Sequence, residues 1–124
     1  MANRSHDWFA QAERDLEHAP SRTWPCLRPP LEKYAEAHPG PPDVMLVIEV
    51  ADTSVAYDRH TNMPLYARAG IPESWLVNLP DAVIEVHSDP GPHGYRAVRR
   101  VGRGETLAPS MLPGVEIAAD AILG

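Results

Sequence analysis

The stretch "DVMLVIEVADTSVAYDRHTNMPLYARAG", Asp43 to Gly70, decides how the chain is read. Val44 to Val50 is apolar on both faces except for Glu49, the pattern of a central strand covered on two sides. An ionised, unpaired carboxylate in such a strand costs several kcal/mol, so it needs a cation, hydrogen-bond donors or a raised pKa. Two explanations fit Glu49. It lies at the strand end and is satisfied by the polar turn Asp52 to Ser54, or it is a ligand for a hard divalent cation, which favours carboxylate oxygens on a rigid element.

Beyond the turn, the pattern predicts a helix from about Asp58 to Ala69, ended by Gly70 with Pro72 beyond it. Pro64 inside it implies a kink or a late start near Asn62. "SWLVN" and "AVIEVHS" form a hairpin signal around Leu79, Pro80 and Asp81, and "GYRAVRRV" predicts another strand. "GVEIAADAIL" predicts a short closing strand and a helical turn. Upstream, Ser5 to His18 places Trp8, Phe9, Ala12 and Leu16 on one helical stripe, with Ser5 as N-cap. Pro20 ends that helix, "APSRTWPCLRPP" is expected to be irregular, and "LEKYAEAH" suggests a short second helix. The expected fold is α+β, with helices packed on a small mixed sheet. Residues 1–40 form an N-terminal helix and Pro-rich segment, and residues 41–124 carry the main domain.

The 124 residues suit one modest core. No apolar run approaches the ~20 residues of a membrane helix, there is no leader-like opening, and the single Cys26 cannot close an internal disulfide. A reducing cytoplasm is therefore the expected compartment. A net charge of −6 argues against general affinity for nucleic acid, although nucleases concentrate basic residues locally. Arg96, Arg99, Arg100 and Arg103 are such a concentration, read as a solvated strand and turn or as a phosphate-contacting edge. The six histidines show no zinc-binding spacing. Trp75 is expected in the core, and Glu85 is expected to point outward from an alternating strand.

"PPDVMLVIEVADTSVAYDRHTNMPLYARAGIPESWLVNL", with "AVIEVHS", "RGETLAPSMLPGVEI" and "DAIL", resembles the C-terminal part of the Uma-two family of restriction endonucleases. The resemblance runs from about Pro41 to Gly124 and implies a partial restriction-endonuclease-like core of the PD-(D/E)XK type. It also implies an Mg²⁺-dependent phosphodiesterase acting on DNA. Glu49 would be the metal-binding acid, with Asp52 as a further ligand and Asp58 or His60 in support. The family's lysine corresponds to Ala51 or, displaced onto the helix, to Asn62, which can hydrogen-bond but carries no charge.

Asp43 and Glu49 lie six residues apart, roughly 20 Å on one strand, so they cannot share one metal. The class takes its partner acid from a neighbouring strand, and no such strand is expected before Pro41. The first eighteen residues resemble the opening helix of HEPN-domain proteins, which suggests a composite chain. Two functions follow: a metal-dependent endonuclease, or an inactive remnant that binds a partner or forms a homodimer.

Overall fold

The computed structural model describes residues 21–29, 35 and 39–124. The helix expected from Ser5 to His18, and most of the one expected in "LEKYAEAH", lie outside the described residues. Five strands form one sheet in sequence order: β1 (Ser21–Leu27), β2 (Val44–Ala51), β3 (Glu73–Asn78), β4 (Val83–Gly91) and β5 (Gly94–Gly102). β2 and β3 run parallel and every other neighbouring pair is antiparallel. The parallel pair requires a crossover, which is the helical segment after β2. A small pair, β6 (Thr106–Leu107) and β7 (Ile117–Ala118), precedes a closing helical turn. This is the α+β architecture expected, consistent with a partial restriction-endonuclease-like core.

β1 corrects two expectations. The segment read as irregular is a seven-residue strand, and a strand does precede Pro41. The prolines concealed it. Pro25 lacks an N–H, but a proline is tolerated on an edge strand where that group would face away from the ladder. Asp43, the residue resembling a motif acid, closes a one-turn 3₁₀ helix, and its Oδ2 accepts the Gly40 N–H at 2.9 Å.

The crossover starts earlier than predicted. It comprises α1 (Val55–Tyr57), a π-helical turn (Asp58–Asn62) and α2 (Met63–Arg68). Pro64 cannot donate to the carbonyl four residues back, at His60, and its ring would crowd that carbonyl. The helix widens immediately upstream, where the Met63 N–H reaches Asp58 O, five residues back. Gly70 ends the helix with φ +81°, while Gly70 and Ile71 donate to the carbonyls of Ala67 and Tyr66.

Both faces of β2 are covered. Val47, Ala51 and Leu76 pack under Met63, Tyr66 and Ile71 of the crossover. On the other face, Leu46, Trp75, Val77 and Ile84 pack against Leu107 and Ala119. Trp75 is fully buried as expected, and its indole N–H donates to Glu73 Oε1 at 2.6 Å. Glu73 Oε2 accepts both the backbone N–H and the hydroxyl of Ser110, which fastens the loop before β7 to the sheet. No helix among the described residues is long and apolar enough to cross a membrane.

Candidate functional site

Cross-strand register places Thr23, Glu49, Leu76, Glu85 and Arg100 in one row across the sheet. Glu49 shares its side of β2 with Val47 and Ala51, which lie under the crossover helix, because strand side chains alternate. Glu49 is fully buried. Its Oε1 accepts the Thr23 hydroxyl at 2.9 Å and the Tyr66 hydroxyl. Its Oε2 has no hydrogen-bond partner among the described residues. Burial is the largest influence on this carboxyl and raises its pKa to about 7, with nearby Asp58 adding to the rise and the Tyr66 and Thr23 hydrogen bonds opposing it. The same burial and the adjoining carboxylate push the Tyr66 phenol well above its ordinary value.

Asp58 and Asn62 are also buried, one turn apart at the two ends of the π turn. Asp58 Oδ2 accepts the Ser54 hydroxyl at 2.9 Å, and Oδ1 accepts the Asn62 amide N–H at 2.7 Å. Asn62 Oδ1 is the second buried acceptor without a hydrogen-bond partner among the described residues. The fold thus brings Glu49, Asp58 and Asn62 into one polar cluster beneath Tyr66. Asp52 is outside it: it is exposed and lines a separate shallow depression with Arg59, Asn78 and Asp81. His60 is exposed in the middle of the π turn.

The residues present do not fit an Mg²⁺ ion. That ion takes six oxygens at short distance and keeps several waters, with one or two protein carboxylates usually supplying the anchor. Glu49 has one uncommitted oxygen, and that oxygen is sealed from solvent. Both Asp58 oxygens are already hydrogen-bonded. β1, the neighbouring strand that could carry a second acid, has none, and Thr23 stands opposite Glu49. Among the described residues no group of three or more His, Cys, Asp or Glu could hold a metal. The cluster as it stands can store a proton or donate and accept hydrogen bonds.

A second cluster departs from expectation. Glu85 is buried and does not point freely into solvent. Arg59 holds it through two guanidinium nitrogens, and His87 Nε2 lies 3.1 Å from its Oε1. Burial raises the Glu85 pKa, but its partners Arg59 and His87 outweigh burial and leave it below the ordinary carboxylate range. Burial is the largest influence on His87 and, with Arg59, leaves its pKa below the ordinary value although Glu85 raises it; His87 serves Glu85 as a hydrogen-bond partner. "VIEVH" puts Glu85 and His87 on one side of β4, as period-two alternation requires. Only the position of the crossover helix turns that side inward and supplies Arg59.

Comparison with known proteins bears on the whole arrangement. The family model Uma2, described as a putative restriction endonuclease, matches residues 7–120. The match begins within the segment that resembles a HEPN helix and continues through β1, so one family description spans both parts of the chain. No curated protein matches. That match, over nearly the full length of the chain, establishes that the chain belongs to the Uma2 family.

Proposed function

We propose that this chain keeps the scaffold and the nucleic-acid association of a restriction-type nuclease family but does not hydrolyse phosphodiesters at the Glu49 cluster. The observation that carries this reading is the Thr23–Glu49 pair: a hydroxyl occupies the position on the neighbouring strand from which a second carboxylate could share a metal. Asn62 at the position the family resemblance gives to lysine points the same way, because an amide supplies no positive charge to a developing phosphorane. With a pKa near 7, much of Glu49 is neutral at physiological pH, which further weakens it as a metal ligand.

The test is a plasmid and single-stranded DNA cleavage assay with Mg²⁺ or Mn²⁺. It compares the unaltered protein, Glu49→Gln and the double variant Thr23→Asp/Asn62→Lys, with Mn²⁺ binding measured by calorimetry. The expected result is no cleavage and no Mn²⁺ binding by the unaltered protein, and Mn²⁺ binding gained by the double variant. Metal-dependent cleavage by the unaltered protein that disappears in Glu49→Gln would overturn the proposal and restore the metal-dependent endonuclease reading.

A further inference from the structure

From Pro90 to Gly104 the chain contains four arginines and no acid, in a protein whose net charge is −6. The rest of the chain therefore carries −10. The four arginines fall on β5 and the turn that follows it, and β5 is the last strand of the sheet. Arg96, Arg99, Arg100 and Arg103 are all exposed. Arg103 donates to the Gly124 carbonyl at 2.6 Å, whereas Arg96 and Arg100 are held weakly. Arg96 is 3.4 Å from Asp89 and Arg100 is 3.8 Å from Asp81, and each of these side chains is about 60% exposed. Such pairs contribute little and exchange readily.

Arg100 belongs to the same row as Glu49, three strand spacings away, or roughly 14 Å. Beside Arg100, on this side of the sheet, lies a cleft of about 450 Å³ lined by Arg59, Asp81, Glu85, His87, Val98 and Arg100. An extended anion lying along β5 would therefore border this cleft, on the side of the sheet that carries the Glu49 cluster. A charged edge strand can serve simply to prevent strand-to-strand aggregation. It also discourages a second copy here: antiparallel pairing about Val98 would set Arg96 opposite Arg100 and place like charges together.

We propose that β5 and its following turn form the seat for a nucleic-acid phosphate backbone, with Arg96 and Arg100, which share the Glu49 side of the strand, as the principal contacts; Arg99, opposite Val86, lies on the other side. This rests on the nucleic-acid reading above and adds the surface and the residues. Val98, 54% exposed among the arginines, supplies an apolar contact beside the sugar-phosphate chain.

The test is a salt titration of binding to a fluorescent 30-base-pair duplex, a single-stranded RNA of the same length and polyglutamate. It uses the unaltered protein, the double variant Arg96→Gln/Arg100→Gln, and Arg28→Gln at the opposite edge of the sheet. For duplex DNA the double variant should flatten the slope of log K against log salt by about 1.8, because each neutralised phosphate contributes about 0.9 to that slope. Its low-salt affinity should fall by about tenfold or more, with Arg28→Gln unchanged. A flattened slope with RNA and not with duplex would support the same seat with RNA as its ligand. If the unaltered protein binds nucleic acid and the double variant binds with the same slope, the surface is wrong while the nucleic-acid reading stands. Absence of binding to either nucleic acid would remove both, and equal or tighter binding to polyglutamate would point to an acidic protein partner and overturn this proposal.

Discussion

Thr23 on β1 lies directly across from Glu49 on β2, and its hydroxyl donates to Glu49 Oε1 at 2.9 Å. A neutral donor facing a buried acid supports a carboxyl that exchanges a proton. Two acids in that geometry would instead share a proton or need a cation between them.

The pH dependence of stability should carry the mark of this carboxyl. Its folded pKa of about 7 lies above the ordinary value of 4.5, so the folded state binds the proton more tightly than the unfolded state. The contribution is fully present below pH 4.5 and is lost as pH rises through 7, a change of about 3 kcal/mol. Urea unfolding at pH 5 and pH 8 should show that loss in the unaltered protein and its near disappearance in Glu49→Gln. Parallel profiles for the two proteins would mean that Glu49 is ionised in the fold throughout.

Tyr66→Phe removes a buried donor to Glu49 Oε1 while preserving the ring that packs beside Met63 and Ile71. The expected cost is about 1–2 kcal/mol, because the carboxyl keeps only the Thr23 bond. Chemical denaturation at pH 8, where Glu49 is largely ionised, should show a larger cost than at pH 5. Equal costs at the two pH values would argue against a direct link to the carboxylate.

Arg59→Ala strands Glu85 in a buried position with His87 as its remaining partner. The guanidinium side chain is 36% exposed, and water entering its place offsets part of the loss, so destabilisation of about 2 kcal/mol is expected. Glu85 has a lowered pKa, and its contribution is present above the ordinary value of 4.5 and lost as pH falls through the folded value. The difference between Arg59→Ala and the unaltered protein should therefore shrink in acid. Thermal melts from pH 3 to pH 7 measure it, and a constant difference would assign the loss to packing alone.

Glu73→Ala takes the acceptor from the indole of buried Trp75 and from Ser110 at once. The expected cost is about 2–3 kcal/mol, with earlier hydrogen exchange at the Ser110 amide than elsewhere in the domain. Unchanged exchange at that amide would show that the loop is held by other contacts.

Much of the fold was legible because its signals are local. The alternation in "AVIEVHS", the continuous apolar run of β2 and the Gly70–Pro72 helix stop each report on residues a few positions apart. β1 was hidden because two prolines near its end read as a break, while edge-strand pairing with β2 is a long-range event. The π turn was likewise invisible: Pro64 predicted a disturbance, but not that the helix would absorb it by widening upstream.

Glu49 stood out by sequence alone as an acid in a strand with no polar face, and so did the absence of lysine at Ala51 and Asn62. Tertiary structure decided what that acid faces. The β1 register sets Thr23 opposite it, the crossover brings Tyr66, Asp58 and Asn62 over it, and the same helix turns Glu85 from an expected surface residue into a buried ion pair with Arg59. The physical reason is one of range: side-chain period and turn chemistry are properties of neighbours in the chain, whereas burial, ion pairing and proton affinity depend on groups that only folding brings within a few ångströms.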